Sequence, residues 1–155
     1  MAENGHLSNQ DYCVDRQILM SIRPEWTSKI LSGEKIVEVR KTMPRMGDYR
    51  VYIYETKNGG GRGKVVGEFN TFISPISRFN ITRPFVAEFV STDSCLSVEE
   101  LLKYAGAKET VCLWHIGNLR VFEHPQPLEF FAVARPPQSW AYLYNLMTSK
   151  HRRSE

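Results

Sequence analysis

The feature that most constrains this chain is a change of hydrophobic period at Gly33. Pro24 suits the first turn of a helix, where its missing N–H costs nothing, and Gly33 suits the left-handed position just past a helix end. Between them Trp26 and Ile30, four apart, share a buried side, while Glu25, Ser28, Lys29 and Ser32 face water. After Gly33 the period drops to two: Val37 and Val39 alternate with Glu38 and Arg40. The sequence predicts a short helix, a tight turn and a strand over 35–41 with one dry face and one charged face. Glu38 and Arg40 point the same way, and Lys35 leans towards them from the strand's start, so three charges meet at one mouth. The same pattern also describes an exposed edge strand with solvated charges.

The flanking chain supplies mostly strands. Residues 17–22 alternate Ile18, Met20 and Ile22 and read as the first. Pro44 and Gly47 mark a turn, after which residues 49–55 form a strand with Val51 and Ile53 opposite Tyr52 and Tyr54. The run Asn58-Gly59-Gly60-Gly61-Arg62-Gly63-Lys64 invites a phosphate-loop reading. It fails, because Asn58 stands where the first glycine of that motif belongs and Val65 where its Ser or Thr belongs. It reads instead as a flexible hairpin loop. A strand over 64–73 follows, with Gly67 marking a bulge or a close backbone approach.

Residues 75–82 read as irregular and 85–90 as a strand. A second helix is signalled by Ser97 as cap, Glu100 three residues on as its reciprocal partner, Leu96 with Leu101 as staple, and Gly106 as stop. Leu101, Leu102 and Ala105 form its apolar side. Residues 111–123 read as strand, kink at Gly117-Asn118, strand. Residues 128–135 suggest a short helical turn, and 135–142 an extended entry into a last strand, since each proline pushes its predecessor away from helix. The domain is expected over 16–146, with polar tails at 1–15 and 147–155. Six or seven strands, two clear helices and no βαβ alternation point to an α+β or mostly β barrel rather than a parallel sheet.

Composition narrows the partners less than charge distribution does. Twenty Lys and Arg against seventeen Asp and Glu leave only +3 over 155 residues, too little alone to argue for nucleic acid. Residues 35–64, however, hold eight bases against three acids, so the remainder is net −2. No apolar run is long enough to cross a bilayer, and no signal peptide is visible. A soluble, cytoplasmic protein is expected. Cys13, Cys95 and Cys112 lack a Cys-x-x-Cys pair, and the four histidines lack paired ligand spacing, so no metal or cofactor is expected.

The segment Ser21-Ile22-Arg23-Pro24-Glu25-Trp26 and the spacing Gly33-x-Lys35-x-x-Glu38-x-Arg40 resemble the opening of ASCH domains, members of the PUA-like superfamily. The segments 113–119 and 135–140 resemble a bacterial subgroup of them, so the resemblance spans residues 18–142. It implies a PUA-like pseudo-barrel of about six strands with two or three inserted helices, and a cleft lined by the opening helix–strand unit.

Three function classes follow. In the first, the cleft binds RNA or a nucleotide: Lys35, Arg40 and Lys41 attract phosphate beside Glu38, and Trp114, Trp140 and Tyr142 offer stacking faces, unless these rings are core. The second is a hydrolase. Some ASCH proteins resemble amidohydrolases acting on acylated cytidine and others ribonucleases; in the former the motif lysine, here Lys35, works with a threonine three residues later and a distant glutamate. Glu38 occupies the threonine's place, and Glu99 or Glu100 would be the acid. From the chemistry alone, Lys35 beside Glu38 is either a general acid–base pair or a salt bridge that merely holds the cleft. The third is a regulatory or protein-interaction domain using the same surface.

Overall fold

The computed structural model describes residues 13–148. Among them lie eight strands and four α-helices: β1 (Gln17–Ile22), α1 (Pro24–Leu31), β2 (Val37–Arg40), β3 (Gly47–Glu55), β4 (Lys64–Ile73), β5 (Arg78–Asn80), α2 (Val86–Ser94), α3 (Val98–Ala105), β6 (Thr110–His115), β7 (Gly117–Gln126), β8 (Trp140–Tyr142) and α4 (Leu143–Leu146). Of the expected tails, residues 1–12 and 149–155 lie outside the described residues; Val14–Arg16 forms a 3-10 turn leading into β1.

The strands form two open sheets rather than a closed barrel: β7-β4-β3-β1-β8 and β2-β6-β5. Their pairs are antiparallel except one. β1 runs parallel to β3, in register from Gln17↔Arg50 to Ile22↔Glu55. The connection between these two strands contains both α1 and β2, so a parallel pair exists without a simple βαβ unit. The expectation of an α+β fold rather than a parallel sheet holds, with this one parallel pair inside it.

The five-stranded sheet carries a core on each face, one of them from Leu19, Tyr54, Val65, Val133 and Leu143, and the three-stranded sheet packs a third against α2 and α3. Alternate residues of β1 (Ile18, Met20, Ile22) and β3 (Tyr49, Val51, Ile53) pack with Phe69, Ile73, Ile30 and Trp114. Val37 and Val39 of β2 pack instead with Val111 and Leu113 of β6 and with Ala87, Val90, Leu101 and Ala105 of α2 and α3. Burying each large apolar side chain contributes about 1.5–3 kcal/mol. The single turn at Gly33 therefore hands the chain from one core to another.

Two stretches differ in type from their sequence reading: residues 78–80, inside the stretch expected to be irregular, form β5 by pairing with β6, and an expected strand is helical. Of residues 85–90, expected as a strand, 86–90 belong to α2. Ala87, Val90 and Ser94 are buried at helical spacing, whereas Phe85, at φ 68 just before the helix, is 83% exposed. A short apolar run carries no period of its own, so packing against β2 and α3 decides it. In α3 the cap forms as read: the Ser97 side chain accepts from the Glu100 amide at 3.0 Å, and the Glu100 carboxylate accepts from the Ser97 amide. Leu102, counted with the apolar side, faces outward, because Leu101 and Ala105 already fill the narrow contact.

Candidate functional site

The α1–β2 turn aims Lys35 inward. Gly33, at φ +83, donates its amide to the Ile30 carbonyl at 2.9 Å, and the Lys35 amide returns to the Lys29 carbonyl at 2.9 Å. The side chain is 1% exposed. Its ammonium donates to the Ser94 carbonyl at 2.6 Å, at the C-terminal end of α2, and lies 5.3 Å from the Trp26 ring centroid. A helix C-terminus and an aromatic face both favour a cation. Burial nevertheless dominates and pushes the ammonium below its ordinary 10.5; the Glu38 carboxylate pulls it back part of the way, and Arg40 and Lys29 push it down further.

β2 is an edge strand, as its pattern allows, but its charges are not solvated. Glu38 is 6% exposed. Its Oε1 accepts from the Val39 amide at 3.0 Å and lies 3.7 Å from Arg40 Nε, while Oε2 is buried with no protein hydrogen-bond partner. Arg40 spans to the other sheet: Nη1 donates to Ser139 Oγ at 3.0 Å and Nη2 to the Ser21 carbonyl at 2.8 Å.

These three side chains line one cavity of about 790 Å³ on the seam between the core of β1 and β3 and that of β2 and β6. Its opposite wall comes from α3, where Glu100, Lys103 and Tyr104 follow one another at helical spacing beside the buried Leu101 and Ala105. Thr56 and Asn58, from the glycine-rich hairpin loop, form part of the rim. The loop is clamped by the buried Glu55: its carboxylate accepts from the Thr27 hydroxyl at 2.5 Å and the Arg62 amide at 2.8 Å, and its carbonyl accepts from the Gly63 amide.

The remaining candidates lie elsewhere. Lys41 is exposed, its Nζ 5.2 Å from the Tyr104 centroid, outside the cavity lining. Trp114 is wholly buried in the core of β1 and β3 and donates to the Thr42 carbonyl at 3.3 Å. Trp140 and Tyr142 are half-buried along β8 and also do not line the cavity. The rings that do are Trp26 and Tyr104. The four-residue spacing from Trp26 to Ile30 predicts helix packing and does not say which rim of the helix opens. Tyr104 carries no sequence signal beyond standing four residues after Glu100 on α3. Of the two suggested acids, Glu100 lines the cavity and Glu99 does not. Among the described residues no three His, Cys, Asp or Glu side chains gather as metal ligands, and no helix is long and apolar enough to cross a membrane.

Two open sheets with inserted helices, and a cleft walled by the first helix–strand unit, define an α+β protein of the ASCH fold. No family model and no curated protein matches the chain; the likeness is to solved structures. A serine-to-alanine mutant of the ASCH protein of Zymomonas mobilis superposes with a TM-score of 0.66 at 19% identity, covering 92% of this chain and 96% of that one. A tyrosine-to-phenylalanine mutant of that protein gives 0.63 at 19% identity, with 90% and 95% covered. A further ASCH structure from Zymomonas mobilis gives 0.64 at 20% identity, with 90% and 92% covered.

Proposed function

We propose that the cleft binds a nucleotide unit, free or within RNA. The observation carrying this reading is that Lys35 and Arg40 line one cavity together with Trp26 and Tyr104. Fixed cations attract phosphate, rings stack on a base, and about 790 Å³ lies within the range of small-ligand sites. Glu38, with one carboxylate oxygen lacking a protein partner, adds an acceptor beside the cations. The test is titration with a mononucleotide and with single-stranded RNA at several salt concentrations. Lys35→Ala and Arg40→Ala should each weaken binding, wild-type affinity should fall as salt rises, and Glu38→Ala should do little harm or tighten binding by removing a negative charge. Affinity indifferent to salt and to both cations overturns the reading.

A hydrolase acting on a modified nucleoside or on RNA is the second reading, favoured by a specific pair of observations. Burial holds Lys35 below the ordinary lysine range, and Glu38 lies close enough to act on it electrostatically. On this reading Glu38→Gln preserves binding and lowers turnover by about 10²–10⁴-fold. Loss of binding and turnover together assigns Glu38 to orienting the cations instead.

A further inference from the structure

The five-stranded sheet holds a second cavity, of about 610 Å³, that shares no lining residue with the cleft. Strand alternation puts it on the opposite face: Arg50 and Tyr52 of β3 point away from Tyr49, Val51 and Ile53, which fill the core of β1 and β3. Tyr52, Glu68 and Arg120 stand directly across three neighbouring strands, in the register Tyr52↔Glu68 and Glu68↔Arg120. The floor is ionic. Arg50 and Glu68 are both buried; Arg50 Nε lies 3.6 Å from one Glu68 oxygen, and Arg120 Nη1 lies 3.4 Å from the other. One carboxylate thus serves two guanidiniums. Arg120 is exposed at the mouth, its guanidinium 5.8 Å from the Phe122 ring centroid. Burial raises the pKa of the Tyr52 phenol, and the Arg50 guanidinium bonded to it pulls it back part of the way, so the phenol stays protonated at neutral pH.

The walls are apolar. Phe131 packs on Tyr52 with centroids 4.8 Å apart, and Phe130 meets Phe131 edge-on at 5.2 Å, both from the 3-10 turn at Leu128–Phe131. Phe130 is 71% exposed and Val121 is exposed as well, so two large apolar side chains meet water around one charged floor. Apolar walls over a few convergent polar groups, in a volume of this size, are the composition of a small-molecule site. Charge selects the ligand. The floor sets two cations, Arg50 and Arg120, against one anion, Glu68. Glu123 is exposed, 3.9 Å from His124 Nε2, and water screens it from the floor. The floor therefore has room for one negative charge, whereas a dianion would face the Glu68 carboxylate in excess. A guanidinium offers a planar fork of donors that matches a carboxylate. We propose that this cavity binds a small monocarboxylate with an aromatic body, its carboxylate on Arg120 and the Tyr52 hydroxyl and its ring among Phe122, Phe130 and Phe131.

The test titrates phenylacetate, its neutral counterpart phenylacetamide, and acetate into the whole chain, followed by amide NMR spectra. Phenylacetate should bind saturably at the millimolar concentrations a ligand this small requires, shifting the amides of Tyr52, Arg120 and Phe131. Phenylacetamide, which lacks the charge, and acetate, which lacks the ring, should each bind about tenfold more weakly. Arg120→Gln should weaken phenylacetate by about tenfold and Phe130→Ala by several-fold. Both side chains are exposed and Arg50 keeps its place on Glu68, so both variants fold, and the same spectra report it. Neither change should alter nucleotide titrations of the cleft. Absence of saturable binding, an amide that binds as well as the acid, or an affinity indifferent to both variants overturns the inference. Binding that survives Arg120→Gln and vanishes with Lys35→Ala puts the carboxylate in the cleft and overturns it too, with the cleft reading left standing.

Discussion

Replacing Lys35 by Met separates what the buried cation does for stability from what it does for function. Methionine matches the length of the lysine stem and deletes the charge. The loss on one side is a charge-assisted hydrogen bond to the Ser94 carbonyl, about 1.5–3 kcal/mol, and the cation–aromatic contact with Trp26, about 0.5–2 kcal/mol. On the other side is relief of a desolvated ammonium, several kcal/mol. The downward displacement of the Lys35 pKa points to the second side: with the Glu38 carboxylate pulling the ammonium up, burial still disfavours the charged form. Arg40 stays beside Glu38 in the variant, so no carboxylate is left wholly without a counter-charge. Lys35→Met should therefore be at least as stable as the natural chain at pH 7, by about 0–2 kcal/mol, a melting rise of up to several degrees at about 2–4 °C per kcal/mol. The pH dependence carries a definite sign. Because the folded pKa lies below the unfolded 10.5, the unfolded chain binds more protons between the two values, and natural-chain stability relative to the variant rises through that window. The burial penalty is fully present below the folded pKa and fades as pH approaches 10.5. Denaturant melts of both proteins at stepped pH values check this, alongside nucleotide titrations in which the variant should bind more weakly. A variant destabilised by more than about 2 kcal/mol, with a difference flat in pH, would refute the reasoning.

Two further substitutions probe the frame around the cleft. Gly67→Ala places a methyl 2.7 Å from the Arg120 carbonyl of β7, at the bulge where β4 shifts register, and should cost about 1–3 kcal/mol, seen as a lower melting temperature. Thr27→Val removes the hydroxyl donated to the buried Glu55 carboxylate and should cost about 1.5–3 kcal/mol; hydrogen exchange at the Arg62 and Gly63 amides, both held by Glu55, should accelerate with it.

Where a signal is local and redundant, sequence and structure coincide. Pro24 and Gly33 bracket α1, the Ser97–Glu100 reciprocal cap starts α3, and β1 and β4 begin and end where the alternation does. Gly67 marks a close backbone approach because no side chain fits against β7 there. The failures are of a different kind. Residues 85–90 carry an apolar run too short to declare a period, and only the neighbouring β2 and α3 make it helical. The cleft was half legible: the motif lysine, glutamate and arginine lie eight residues or fewer from Gly33, whereas the wall opposite comes from α3, a helix more than sixty residues away whose outward face carries no motif. Aromatic candidates chosen by residue type alone mixed a core tryptophan, Trp114, with two edge residues, since burial depends on which sheet a strand joins.

β1 is paired on one edge by residues 50–55 and on the other by residues 140–142, so its second edge depends on the far end of the described chain. Without residues 140–142 a strand holding Ile18, Met20 and Ile22 presents open amides and carbonyls to any passing chain. A nascent or truncated form lacking β8 is thus an aggregation hazard, and a ribosome stalled before residue 140 would expose it.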